Sequence, residues 1–421
     1  MISFSEARAM WARIGLLSFG GPAGQIALMH REVIDKRKLI EEKEFLSALN
    51  FCMLLPGPEA MQLATYIGWK LHGLKGGLVA GLLFILPGAA VMFALATIYV
   101  LFGAMPLVAN LFWGVKAAVL AIVLEALLRI AKRALKGPND YVIAGLAFIA
   151  VFVFAIPFPI VVGAAALVGW LWPQKAKIET KAVQLPPLQN TIKTISIWLA
   201  LWLVPLAALN LWWPQSVYAL LGNFFSRLAI VTFGGAYAVL SYMGQDVVEA
   251  HHWLTTAQMM DGLGLAETTP GPLILVGQFV GFLAVAGQSG GLTAAFIGGA
   301  IFLWMTFVPC FLWIFAGAPY LEYLQSQPRI ASALARVTVA VCGVILNLSV
   351  WFGLNFLFGR VERLQSQFPI WWPDWFSFDV AAAALSAIAA LALLRFHFGM
   401  AKTLALSAAL GIVWRTFMVM H

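Results

Sequence analysis

Four short stretches combine residue types that an undisturbed helix does not tolerate. Ser18-Phe19-Gly20-Gly21 and Thr232-Phe233-Gly234-Gly235 each set a hydroxyl and an aromatic ring before two glycines, and Pro56-Gly57 and Pro270-Gly271 each run on into a second proline. Glycine admits backbone angles that other residues avoid, and proline lacks the amide donor and clashes with the preceding turn. Each stretch therefore interrupts a helix. Pro22 and Pro58 follow a glycine and precede an apolar run, the place proline favours at a helix start. The free N–H groups and positive dipole end of the new half-helix then point at the break and suit an anion. Ser18 and Thr232 add hydroxyl donors or cap the turn. This is binding chemistry, so no catalytic residue, cofactor or metal is expected. Gly287-Gln288-Ser289-Gly290-Gly291 fits the nucleophile-elbow pattern, but no strand precedes it, and it reads as a loop leading into a helix.

The elements that must hold these breaks are membrane spans. Of 421 residues, 62% are hydrophobic and only 10% are charged, and uncharged apolar runs of spanning length recur. Nine candidates stand out: 76–102, 107–128, 141–156, 158–172, 195–212, 292–317, 337–358, 380–394 and 403–419. Cys52, Cys310 and Cys342 lie in apolar segments without metal or disulfide spacing and read as packing residues. Glu6, Arg8 and Arg13 fall where a cleaved signal would need an apolar core, so no targeting peptide is expected. The net charge of +8 belongs to cytoplasmic loops and not to a nucleic-acid surface. Arg129, Lys132, Arg133 and Lys136 place one loop inside, and Lys70, Lys75 and the polar stretch 174–194 lie on the same side.

The motifs recur at a constant offset of 214, which also pairs Arg13 with Arg227 and Gly76-Gly77 with Gly290-Gly291. An eight-residue insertion shifts the offset to 222, pairing Pro87 with Pro309 and Lys116 with Thr338. A duplication in which an odd number of spans inverts the second copy predicts basic loops in one half only. Up to residue 190 there are 17 Lys and Arg against 10 Asp and Glu; afterwards there are 9 against 8. The fold expected is thus an all-α polytopic membrane protein of two inverted-topology repeats, with broken or re-entrant helices meeting near the bilayer midplane. Its parts are an N-terminal repeat (1–173), a cytoplasmic linker (174–194), a connecting span (195–213) and an inverted C-terminal repeat (214–421).

The charged loop from Arg31 to Glu44 decides how the breaks are carried. If it is cytoplasmic, 10–33 and 45–70 dip in and return as hairpins; otherwise they are full spans kinked at glycine and proline. The residues expected around the anion are Ser18, Phe19, Gly20, Gly21, Gly24, Gln25, Pro56, Gly57 and Gln62 in the first half. Thr232, Phe233, Gly234, Gly235, Thr269, Pro270, Gly271 and Gln278 complete the set. Gln25, Gln62 and Gln278 either donate to oxyanion atoms or bridge helices. Arg13 and Arg227 either neutralise the dianion or snorkel to the interface. Glu59 and Glu267 flank the Pro-Gly-Pro triplets as proton carriers or, for Glu59, as a helix-start charge. Lys116 and Glu125 share one span and either line the pathway or pair within the bundle.

The stretches "SFGGPAGQIALMHREVI", "LPGPEAMQLATYIGW", "TFGGAYAVLSYM" and "TTPGPLILVGQFVGF" resemble the signatures of the chromate ion transporter family in its long, two-domain form, over nearly the whole chain. The second copy departs from the pattern with Gly-Gly-Ala at 234–236 in place of Gly-Gly-Pro. The resemblance implies secondary transport of chromate, a tetrahedral oxyanion, out of the cytoplasm across the bacterial inner membrane, and chromate resistance. Sulfate is the close structural mimic, and transport of sulfate or another anion, including cation-coupled uptake, is the alternative. The partners expected are chromate or sulfate and the lipid bilayer; a homo-oligomer is compatible with this reading.

Overall fold

Ser3 starts the first helix with a capping box: its hydroxyl accepts from the Glu6 amide while the Glu6 carboxylate accepts from the Ser3 amide. The structure is a computed structural model, and it describes residues 2–173, 187–233, 236–288, 291–321, 327–364 and 369–419. Helix α1 (Phe4–Leu17) stops at Ser18, and α2 (Gly21–His30) begins after Gly20, which has φ of +85°. A π turn over Arg31–Asp35 and the charged loop lead to α3 (Glu42–Cys52). The first Pro-Gly-Pro separates α3 from α4 (Glu59–Phe102).

Helix α4 is two rods. His72 and Gly73 have non-helical angles, and the arms on either side lie back against each other. A Cβ on Gly68 would sit 2.5 Å from the Gly76 carbonyl oxygen, and one on Gly81 would sit 2.5 Å from Thr65 Oγ1. Small residues at these positions let the two backbones touch. The chain continues through α5 (Pro106–Ala134), α6 (Pro138–Phe152) and α7 (Phe158–Leu171), each with a proline in its first turn, where the missing donor costs nothing. Then come α8 (Leu188–Trp212), α9 (Val217–Val231), α10 (Ala236–Met243), a second π turn (Gly244–Ala250) and α11 (Thr256–Thr268). After the second Pro-Gly-Pro follow α12 (Val276–Ala286), α13 (Gly291–Gly317) and α14 (Pro328–Leu357). A small antiparallel hairpin of β1 (Val361–Arg363) and β2 (Trp371–Pro373) precedes α15 (Val380–Ala390) and α16 (Met400–Val419).

Among the described residues, α4, α5, α8, α13 with its short extension to Tyr320, and α14 are long and apolar enough to cross a bilayer. All nine segments expected to span overlap helices, but 141–156 runs four residues past the end of α6, and α6, α7 and α15 are shorter apolar helices outside those five. The chain is an all-α multi-pass membrane protein. The linker expected at 174–194 lies largely outside the described residues, as do Gly234 and Gly235.

The chain forms two compact units, and each draws on both halves of the sequence: residues 1–96, 170–239 and 269–334 in one, and residues 97–169, 240–268 and 335–421 in the other. Within the first, α12 and α13 meet at Gly281 and Gly298, where a Cβ on either would lie within 2.5 Å of the other's carbonyl oxygen. The second unit is tied by ion pairs between Asp140 and Arg336 and between Arg363 and Glu249.

A candidate anion site at the helix breaks

The first unit holds all four interruptions, and the hydrogen bonds around them come in matched sets. Ser18 Oγ donates to the Ile14 carbonyl, and Thr232 Oγ1 donates to the Leu228 carbonyl. Phe19 N donates to Leu17 O and Phe233 N to Val231 O, both at 2.9 Å. The next pair is reciprocal between the halves: Gly57 N donates to Thr232 O at 2.8 Å, and Gly271 N donates to Ser18 O at 2.9 Å. A backbone group left unpaired in hydrocarbon costs several kcal/mol. The carbonyls of Ser18 and Thr232 are thus each bonded by the Pro-Gly-Pro of the opposite half.

Glycine is needed at both triplets. Gly57 has φ of +123° and Gly271 φ of +86°, in the left-handed region that penalises a Cβ. Space is also tight. A Cβ on Gly57 would lie 2.8 Å from both Cys310 Sγ and Gln62 Nε2; one on Gly271 would lie 3.3 Å from Phe84 O and 3.7 Å from Gly88 Cα. Gly88 and Cys310 are the residues after the mid-helix prolines Pro87 and Pro309, so each triplet faces the same place on the other half. Neither residue was singled out for the site by sequence reasoning, which treated Cys310 as packing; the repeated prolines beside them were the available signal.

The glutamines act as bridges. Gln25 Nε2 donates to the Gly271 carbonyl and, at 3.4 Å, to that of Ser18. Gln62 Nε2 donates to Pro56 O at 2.7 Å, and Gln278 Nε2 to Ala89 O at 2.9 Å. All three side chains are buried; Gln25 and Gln62 give their N–H groups to carbonyls at the breaks, and Gln278 gives its own to a carbonyl inside α4. Ser18 and Thr232 likewise bond their own helices and cap nothing. What is left to greet an anion is backbone. Helix α2 starts with no side-chain cap, and a Cβ added on Gly20 or Gly21 would meet nothing within 4 Å. The first N–H groups of a helix have no partner inside it. Gly24 lets this first turn close on Phe19, whose carbonyl oxygen would lie 2.8 Å from an added Cβ, while the Phe19 ring is about half exposed, at 47%. Thr269 and Pro270 are buried beside Gly271.

Charged groups stand at a remove. Arg13 and Arg227 are exposed on α1 and α9, before the interruptions. Glu59 is half-buried in the first turn of α4, and Glu267 is buried in the last turn of α11. Lys116 and Glu125 belong to the second unit and do not pair with each other: Glu125 pairs with Arg129, whereas Lys116 Nζ lies 3.4 Å from Asp261 Oδ1. Tyr99 donates to Asp261 Oδ2 at 2.9 Å. Asp261 and Tyr99 carried no repeat or motif that would have marked them. In the loop after α2, Glu32 is buried beneath Lys36 and Arg37. Burial opposes its ionisation, but those two cations prevail and hold its pKa down at about 2.

The comparisons with known proteins agree on one class. Residues 6–170 and 219–412 match the chromate transporter family. A chromate transport protein of Pseudomonas aeruginosa is 33% identical over 348 residues, covering 82% of this chain and 80% of that one. Another, of Cupriavidus metallidurans, is 30% identical over 343 residues, 79% of this chain and 78% of the relative. A probable chromate transport protein of Synechococcus elongatus is 29% identical over 380 residues, 86% and 90% of the two chains. No solved structure matches the chain. Two matched blocks that together take in both sets of helix breaks, and relatives aligned over four-fifths of the length, place this chain in the chromate transporter family.

Proposed function

We propose that the chain exports chromate from the cytoplasm across the inner membrane, holding the dianion at the backbone amides of the broken helices. The observation that carries this reading is the reciprocal pairing of the breaks, Gly57 with Thr232 and Gly271 with Ser18. It gathers interruptions from both halves into one place, beside a helix start with open space in front of it. In this reading the halves are inverted-topology repeats, 1–173 and 214–421, joined by the linker 174–194 and the span 195–213. The antiparallel arms of α4 support hairpins that dip in and return: residues 59–71 run back along the next arm and do not continue across. Transport then proceeds by alternating access, one bundle rocking against the other around the bound anion.

The energetics favour export. A doubly charged anion leaving an inside-negative cell gains about 4.6 kcal/mol per 100 mV, more than a thousandfold in equilibrium ratio. No coupled ion is required for that direction. Uptake of sulfate would instead need several cations carried together.

The test is chromate flux in sealed vesicles of both orientations with an imposed potential. The proposal expects chromate to leave through the cytoplasmic face faster as that side becomes more negative, with competition by sulfate. Flux insensitive to potential, or flux only in the opposite direction, defeats it.

A further inference from the structure

Beside α1 the first unit opens a cleft of about 830 Å³. Its charged lining is Glu6, Arg13, Arg37 and Lys38, with Met10 and Leu71 as apolar walls. Glu6 is engaged by Ser3, and Arg37 by Glu32. Arg13 and Lys38 are exposed and have no ion-pair partner among the described residues. With Arg37 offset by Glu32, Arg13 and Lys38 face the lone carboxylate Glu6, and the cleft keeps a net positive charge that favours an anion. Arg13 precedes Ser18 by five residues on a 1.5 Å rise, so the cleft lies about 8 Å along the helix from the break, roughly one Debye length at physiological salt.

The second copy supplies a control. At the offset of 214, Glu6, Arg13, Arg37 and Lys38 correspond to Leu220, Arg227, His251 and His252. Lys38 and His252 have φ of 49° and 52°, and the bond from Leu39 N to Val33 O recurs from Trp253 N to Val247 O, both 2.9 Å. The backbone turns with the same left-handed residue and closing bond while the charge differs. A shared left-handed turn built with His251 and His252 shows that this turn does not require Arg and Lys at 37 and 38.

We propose that this cleft is a second anion site, an antechamber where Arg13 and Lys38 take up a free tetrahedral oxyanion before it reaches the helix break. The inference rests on the transport reading above and extends it to the approach path. Arg37, anchored by Glu32, is the fixed wall; Lys38 and Arg13, exposed and without ion-pair partners among the described residues, are the donors that gather the ion and raise its local concentration.

Equilibrium binding of chromate, followed by its own absorbance, to the full chain in phosphatidylcholine nanodiscs tests this. Wild type is expected to show two classes of site. Arg13→Gln/Lys38→Gln should lose the weaker class, and in vesicles its KM for chromate on the cytoplasmic side should rise about tenfold at low salt with the maximal rate kept, the gap closing at high salt. Arg13→Lys/Lys38→Arg, which keeps the charges, should keep the site. Unchanged binding in the double Gln variant overturns the proposal. So does loss of the weaker class from wild type in phosphatidylglycerol nanodiscs at equal ionic strength, which would assign the cleft to a lipid phosphate. Gly271→Ala separates the two readings: if it keeps both classes, the break is not the transport site and the cleft stands alone.

Discussion

Lys38 and His252 sit at matched positions with almost the same left-handed φ, and Gly57 and Gly271 are matched glycines that both have positive φ, yet the first pair differs in charge while the second keeps its residue type. Around the breaks the two copies share the hydroxyl back-bonds, the tight turns at Phe19 and Phe233, and the exchanged bonds to Ser18 and Thr232, while the glutamine bonds belong to one copy each. Away from them they part. The loop after α2 carries Arg31, Lys36, Arg37 and Lys38, whereas the matching 245–252 has no Lys or Arg. The buried pair Lys116–Asp261 corresponds to Thr338 and Ser47. Under the inverted-repeat reading proposed above, the backbone device was kept while the charges diverged, as expected where both sides build the site and only one side faces the cytoplasm.

The comparison can be broken most sharply at the glycines. Gly57→Ala should cut chromate flux about a hundredfold or more, because the Cβ meets left-handed strain and two side chains at 2.8 Å. Gly271→Ala should fall less, its nearest contact being 3.3 Å; equal losses in a vesicle assay would show that local crowding is not the cause. Next, Lys116→Thr imports the residue of the other copy and strands Asp261, for an expected loss of about 3–5 kcal/mol. Lys116→Thr/Asp261→Ser should recover most of it in detergent melts, and a double variant as unstable as the single would mean the pair is needed for the fold. Gln25→Leu has no partner experiment in the second copy, where Val239 stands. It leaves the Gly271 carbonyl buried without that donor and should cost about 1–3 kcal/mol in the same melts.

The smallest effect is local. Glu32 has a folded pKa near 2 against an ordinary 4.5, so the stability it gives the loop is complete above the ordinary value and is lost as pH falls from about 4.5 towards 2. Amide exchange over residues 31–44, corrected for its intrinsic pH dependence, should accelerate through that window. The segment 245–258, which has no lysine or arginine to form such a pair, should not respond in the same way.

The breaks and their partnership across 214 residues were legible because glycine and proline act through the backbone, and their effect needs no knowledge of neighbours. The spans were legible for a similar reason, since apolar length is a local property. Side-chain assignments were harder. Gln25, Gln62 and Gln278 carry donors that suit an oxyanion and a bare carbonyl equally, and only tertiary structure shows that carbonyls take them. Lys116 was found, but its partner Asp261 lies 145 residues away on another helix, with no periodicity linking the two. Cys310 does pack, as its apolar setting suggested, and what it packs against is Gly57.

The exchanged bonds between Ser18 and Gly271 and between Thr232 and Gly57 also set a schedule for biosynthesis. Neither half can complete its own turns. At about 5–20 residues per second, a ribosome needs roughly 10–40 s to get from the first glycine pair to the second. Throughout that interval the leading half sits in the membrane with polar main chain awaiting its mate, a window in which insertion machinery or a chaperone must shield it.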